Sequence, residues 1–384
     1  MNSFEFFNPV RIIFGMGKIA ELPKYISKDH KVLVTYGGGS IKENGIYDQV
    51  FDALKGYSVF EFGGIEANPK YETLMKAVQL IRKEKIDFVL AVGGGSVLDG
   101  TKFIVAAVPF KGNEWDILAK HLPIKEALPF GAVLTLAATG SEMNSGGVIS
   151  KTETKEKLAF GSPLLFPKFS ILDPATTYSL PLNQVANGVV DSFVHVTEQY
   201  LTYPTNSPIQ DRMAEGILKT LIEEGPKVLS NPRDFDVRAN LMWSATMALN
   251  GLISCGVPTD WATHMIGHEL TAFHGLSHGV TLAIILPSLL RIMIDDKEVK
   301  LAQYAERVWD IKSGTTREKA LAAIDKTEVF FQSMGIKTKL TGYGVGAENF
   351  SKIIKRFEDR GWVGLGERRS VTPDKVLEIL KNSL

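Results

Sequence analysis

Two hydrophobic periods alternate along the first half of the chain. Lys31 to Tyr36 (Lys-Val-Leu-Val-Thr-Tyr) and Ile86 to Val92 (Ile-Asp-Phe-Val-Leu-Ala-Val) are short and almost continuously apolar, the pattern of strands buried on both faces of a parallel sheet. Between them Asn68-Pro69 opens a stretch to about Lys85 in which Leu74, Ala77, Val78 and Ile81 recur at helical spacing. A further helix is predicted from Val97 to about Val108, and a third strand from Gly131 to Leu136. Strand, crossover helix and strand in succession predict a doubly wound α/β domain of Rossmann-like type.

After Leu172-Asp173-Pro174 the period becomes helical, and it stays so to Leu384. Thr372-Pro373-Asp374 marks a late helix start, with Thr at the N-cap and Pro in the first turn. The most apolar run, Val280 to Ile294, is broken by Pro287 and Arg291 and falls short of the ~20 residues of a membrane span, so it reads as a buried helix. A chain of 384 residues exceeds the roughly 250–300 at which single cores stop growing. Two domains are therefore expected, an α/β domain at 1–180 and an all-α domain at 181–384.

Composition narrows the partners. Forty-three basic and forty-three acidic side chains cancel, so no whole-chain field draws the protein to nucleic acid or to an anionic membrane. The single cysteine, Cys255, excludes an intrachain disulfide and fits a reducing cytoplasm, and the first residues lack the basic and apolar regions of a secretory signal. A cytoplasmic location is expected.

Candidate chemistry begins at the predicted strand ends. Gly37-Gly38-Gly39-Ser40 follows the first strand and Gly93-Gly94-Gly95-Ser96 the second. Glycine lets backbone approach a ligand, and the N-terminus of the next helix offers unpaired N–H groups to a phosphate. Neither triplet has the G-x-G-x-x-G spacing, and one alone is more often a tight turn. Two placed alike point to a dinucleotide across neighbouring strands. Thr139-Gly140-Ser141-Glu142 adds hydroxyl donors after the third strand, and Lys157 is a candidate for the ribose or phosphates. Thr35 to Ser40 contains no Asp or Glu to accept from the ribose hydroxyls of NAD and repel a 2′-phosphate. NADP(H) is therefore favoured over NAD(H).

The second constellation is histidine-rich. His264, His268, His274 and His278 are four of the seven histidines in the chain, and upstream Asp191 and His195 stand four residues apart, on one face of a helix. Imidazole is the commonest ligand of catalytic divalent metals, so a site built from two segments is expected, with two of the four clustered histidines completing it. Spacing does not say which two. Three or four N/O ligands with one open position would make the site catalytic.

At these residues the chain resembles the iron-containing (group III) alcohol dehydrogenases, in the branch of butanol dehydrogenases and NADPH-dependent aldehyde reductases. The likeness runs through Arg11-Ile-Ile-Phe-Gly, Tyr36-Gly-Gly-Gly-Ser, Glu61-Phe-Gly-Gly-Ile-Glu-Ala-Asn-Pro and Ala91-Val-Gly-Gly-Gly-Ser-Val-Leu-Asp-Gly-Thr-Lys. It continues through Ala138-Thr-Gly-Ser-Glu, Asn187-Gly-Val-Val-Asp-Ser-Phe-Val-His and Asp260-Trp-Ala-Thr-His-Met-Ile-Gly-His-Glu-Leu. The resemblance implies Asp191, His195, His264 and His278 as ligands of one Fe(II) or Zn(II), His268 in a proton path, and His274 as a pocket residue. On the cofactor side it implies Gly94, Gly95, Ser96 and Asp99 around the pyrophosphate, with Thr139, Ser141 and Lys157 near phosphates, ribose and nicotinamide. Many NAD-using members carry Asp where this chain has Gly38, which again favours NADP.

The implied reaction is reversible hydride transfer between NAD(P)H and small aldehydes such as butanal, giving primary alcohols, in a cleft between the domains. A homodimer is expected by the same analogy, with an edge strand near the N-terminus to pair. Rival expectations are a glycerol dehydrogenase-like polyol oxidoreductase, a dehydroquinate synthase-like lyase, and a non-catalytic nucleotide or metal sensor.

Overall fold

The computed structural model describes residues 1–384, which divide into two compact units. One comprises Phe7–Leu180 and Arg233–Asn250, the other Met1–Phe6, Pro181–Pro232 and Gly251–Leu384.

The first unit is built on a six-stranded sheet containing β1 (Arg11–Phe14), β2 (Lys31–Tyr36), β3 (Ser58–Phe62), β4 (Phe88–Gly93), β5 (Phe130–Leu134) and β8 (Phe169–Leu172), in the order β1-β8-β5-β4-β2-β3. Every pairing in it is parallel. Between β5 and β8 the chain forms a separate antiparallel hairpin, β6 (Gly146–Lys151) with β7 (Glu156–Gly161). The helices of this unit are α1 (Ser40–Glu43), α2 (Ile46–Ala53), α3 (Tyr71–Glu84), α4 (Gly95–Ala107), α5 (Asp116–Ala119) and, from far downstream, α8 (Phe235–Ala248).

Continuous apolarity in the central strands supplies two cores, one on each face of the sheet. Phe88, Leu90 and Val92 of β4 pack with Val32 and Val34 of β2 and with Ile46 and Val50 of α2. Val89 and Ala91 point the other way, to Leu74, Val78 and Ile81 of α3 and to Leu98 and Phe103 of α4. Alternate residues of one strand thus feed opposite cores. From β2 the sheet grows to β3 on one side and to β4, β5 and β8 on the other, so the order reverses between β2 and β4. Ligands of open α/β sheets bind at such a switch point.

The second unit is helical: α6 (Leu182–Tyr200), α7 (Pro208–Ser230), α9 (Ala262–His274), α10 (His278–Ile292), α11 (Ile294–Arg307), α12 (Thr316–Ser333), α13 (Phe350–Asp359) and α14 (Pro373–Asn382). The Thr372 side chain accepts from the Lys375 N–H at the start of α14, as its sequence predicts. No single helix is long and apolar enough to cross a membrane; α10, the most apolar, is a core helix buried from Gly279 to Leu290.

Candidate active site

At the C-terminal edge of the sheet three turns follow neighbouring strands β2, β4 and β5. Gly37, Gly38 and Ser40 lie in the first, Gly94, Gly95 and Ser96 in the second, Thr139 and Ser141 in the third. A Cβ on Gly95 would stand 2.4 Å from Thr139 Oγ1, so only glycine lets the second and third turns approach this closely. A Cβ on Gly38 would meet nothing within 4 Å, so the first turn faces open space. Asp99, one turn into α4, accepts from Ser141 Oγ at 2.7 Å and from the Val148 N–H at 2.9 Å. Lys157 is buried, not solvated, and its Nζ donates to Asn68 Oδ1 at 2.9 Å. The Asn68 N–H in turn donates to Ser96 Oγ.

Two residues that sequence reasoning passed over hold this arrangement. Lys102 is fully buried, with Nζ within 2.8 Å of Ser141 Oγ, Asn144 Oδ1 and Gly146 O. Burial pushes its ammonium down to about 8, against the pull of Asp99 and Glu142. The signal was available: it is the one cation of α4, three residues after Asp99, in a helix that is otherwise mostly apolar. Asn68, before α3, carried no such signal.

The helical unit gathers the histidines. Asp191 and His195 share one face of α6, His264 lies in the first turn of α9, and His278 begins α10. Asp191 Oδ1 is 3.7 Å from His195 Nδ1, 3.8 Å from His264 Nε2 and 3.6 Å from His278 Nε2. Asp191, His195 and His264 are all buried, and their donor atoms lie within 4.8 Å of one another. His195 Nδ1 and His264 Nε2 are buried with no hydrogen-bond partner, a cost unless something else satisfies them. Burial pushes His195 down to about 4, with Asp191 opposing, whereas against burial Glu198 and Asp191 hold His264 up to about 9, so an ion would find a lone pair on His195 and take the place of a proton on His264. Donors around a tetrahedral ion at bond lengths of about 2.1 Å stand roughly 3.4 Å apart. The three distances from Asp191 need close by only a few tenths of an ångström and the widest spacing within the group by about 1.4 Å, within reach of side-chain rotation, so the donor set fits one divalent ion.

Around these donors, His268 lies with its ring centroid 5.2 Å from that of His278 and 6.3 Å from that of His264. His274, at the end of α9, makes no ring contact with this group, and its ring is only partly buried. Glu198, unnoticed in the sequence, bonds His264 Nδ1. Its place at i, i+4, i+7 with Asp191 and His195 put it on the same helical face.

A separate cavity of about 630 Å³ in this unit is lined by none of these residues. Its cations Lys300 and Arg307 pair with Asp211 and Glu215.

Residues 9–174 match the family described as Iron-containing alcohol dehydrogenase, and residues 185–384 its C-terminal counterpart. The chain belongs to the iron-containing alcohol dehydrogenase family. It is 57% identical over 377 residues to the NADPH-dependent aldehyde reductase YqhD of Escherichia coli, covering 97% of each chain. It is 44% identical to a probable NADH-dependent butanol dehydrogenase of Bacillus subtilis over the whole of both chains. Among solved members of the family, E. coli YqhD superposes with a TM-score of 0.99 at 55% identity, covering 100% of this chain and 99% of that one. The butanol dehydrogenase A structure from Thermotoga maritima gives 0.96 at 36% identity with the same coverage. Family membership bears out the expected fold and the oxidoreductase class.

Proposed function

We propose that this member of the family is a metal-dependent, NADPH-preferring reductase of small aldehydes, running reversibly to primary alcohols. The observation that carries the reading is Asp191 Oδ1 with three imidazole nitrogens within 3.8 Å. Asp191, His195, His264 and His278 would hold one Fe(II) or Zn(II), ions that suit imidazole and carboxylate donors alike. A metal so held supplies Lewis-acid polarisation of a carbonyl, and a reduced nicotinamide supplies hydride. The chain's own residues do the rest. Gly94, Gly95 and Ser96 offer the N-terminus of α4 to a pyrophosphate, and Asp99, fixed by Ser141 and Val148, orients that turn. Gly37, Gly38, Ser40 and Thr139 complete the cradle, with Lys157 beside it. His268, whose ring lies near those of His264 and His278, would supply the proton that the reduced product needs.

The NADPH preference rests on the first turn. It carries no carboxylate, and Glu61 on adjacent β3 is engaged by Tyr36 OH at 2.9 Å and Lys42 Nζ at 3.3 Å. The E. coli relative named for NADPH is also the more similar of the two reported. We further propose a cytoplasmic homodimer. β1 is an edge strand, and Phe7, Met16 and Trp243 leave 62%, 61% and 40% of their surface exposed in the same unit; a second copy would cover both.

Oxidation of NADPH by butanal is the test, followed by absorbance before and after chelation, with Zn(II) or Fe(II) restored and NADH in parallel. Metal-dependent turnover favouring NADPH is expected. No turnover with either cofactor and either metal would refute the reading.

A further inference from the structure

The three-helix cluster contains a carboxylate that belongs to none of the four ligands. Glu198 is 3% exposed, and a buried carboxylate needs several donors. Its Oε2 bonds His264 Nδ1 and also accepts from the His264 N–H at 3.3 Å, while Oε1 accepts from the Thr263 N–H at 2.6 Å. A fourth link runs through its backbone, where the Glu198 carbonyl accepts from the Asp260 N–H at 2.8 Å. All these donors sit at the start of α9, whose N-cap residue Trp261 is left-handed at φ 65° and offers no side-chain cap.

An imidazole bonded to a carboxylate through Nδ1 keeps a proton there and presents Nε2 as the atom that an ion would take. In His264 that Nε2 faces Asp191 at 3.8 Å and has no other partner. Resting on the metal-site reading above, we propose that Glu198 is a positioning residue for the metal centre. It fixes the tautomer and the ring plane of His264 and makes Nε2 the more basic donor. Such outer carboxylates typically change metal affinity 10–100-fold when removed.

A purely mechanical role is the competing account, because Glu198 also ties down orphan N–H groups of α9. Asp260 separates the two. Its Oδ1 accepts from the Ala262 N–H at 2.8 Å in the same turn, but no ring contact or hydrogen bond joins it to an imidazole.

The experiment measures Co(II) binding to the full-length apoprotein by competition with a chromophoric chelator, with the d–d absorption of the bound ion recorded and the melting temperature of each apoprotein taken alongside. The unsubstituted protein should bind one Co(II). Glu198→Gln should bind it roughly 10–100-fold more weakly with an altered d–d band, whereas Asp260→Asn should melt lower but bind within about threefold of the parent. If the amide variant does not accumulate, Glu198→Asp, which keeps the charge but draws it back from Nδ1, carries the same expectation. Unchanged affinity in the Glu198 variant overturns the proposal, as does an equal loss in the Asp260 variant. Absence of Co(II) binding in the unsubstituted protein would instead overturn the metal site itself.

Discussion

Gly279 offers a direct way to move one proposed ligand, His278, without touching it. It follows His278 on α10, and a Cβ there would stand 2.5 Å from the Asn187 carbonyl oxygen, 2.9 Å from Asn187 Cα and 3.0 Å from its carbonyl carbon. All three are backbone atoms of α6, so no side chain can swing aside. Restoring an ordinary contact requires the two helices to separate by about 0.5–1 Å, and overpacking of this kind costs about 1–3 kcal/mol. For a unit of this size that is a fall of roughly 2–12 °C in melting temperature. Asn187 lies one turn before Asp191, so the separation acts on the 3.6 Å between Asp191 Oδ1 and His278 Nε2. That edge would open to about 4–4.5 Å, beyond the roughly 3.4 Å between neighbouring donors on one tetrahedral ion. Gly279→Ala is therefore expected to melt lower and to lose at least tenfold in Zn(II) affinity, read by thermal melts of the apoprotein and by chelator competition. A variant that melts within about 1 °C of the parent and holds Zn(II) as tightly would show that the helix contact does not set the ligand geometry.

Three further outcomes follow from charged side chains held inside the two units. In the folded state Lys102 titrates near 8, whereas in the unfolded chain it keeps its proton to about 10.5; between those values the unfolded state binds more protons, so the contribution of Lys102 to stability rises with pH. Denaturant melts of the parent and Lys102→Met should therefore diverge in favour of the parent by about 3 kcal/mol between roughly pH 7 and pH 10.5, and a gap independent of pH would contradict the buried ammonium. Lys297 is 4% exposed and bonds Asp260 Oδ2 at 2.7 Å, Glu367 at 3.0 Å and the Leu201 carbonyl; Lys297→Met should cost about 3–5 kcal/mol in a denaturant melt, and a loss under about 1 kcal/mol would count against the pair. Asp99→Asn, which keeps only one acceptor for Ser141 and Val148, should raise KM for NADPH about tenfold or more with metal content unchanged; an unaltered KM would remove Asp99 from the cofactor cradle.

What the residue pattern made legible was local. β2 and β4 are unbroken apolar runs followed by glycine, so their existence follows from composition; β2 matches its expected bounds, while β4 begins at Phe88, two residues after the expected Ile86. α14 announces itself through Thr372 and Pro373. The Asp191/His195 pair is legible because helical spacing is a geometric statement. What distance in sequence hides is pairing. Nothing in Arg11–Phe14 says that it will lie beside Phe169–Leu172, and the β6 and β7 hairpin is short and polar enough to pass for a loop. Glu198 and Lys102 were visible by position on their helices, but what each does was not, because each draws its meaning from a partner on another segment, His264 in one case and Asn144 in the other.

Helix α8 has a consequence for how this protein can be divided. It is encoded between segments of the helical unit, yet Met242 belongs to the core around α3 and α4, and Thr246 Oγ1 donates to Glu142 Oε1 at 2.5 Å. The first six residues, conversely, belong to the helical unit, where the Asn2 N–H donates to the Gly256 carbonyl. No single cut in the gene therefore releases either unit whole. A fragment stopped before α6 would expose the bed of α8, and one started there would lack Met1–Phe6. During synthesis the sheet must likewise wait for residue 250 before its core can close, so the α/β unit and the helical unit are expressed and folded as one piece.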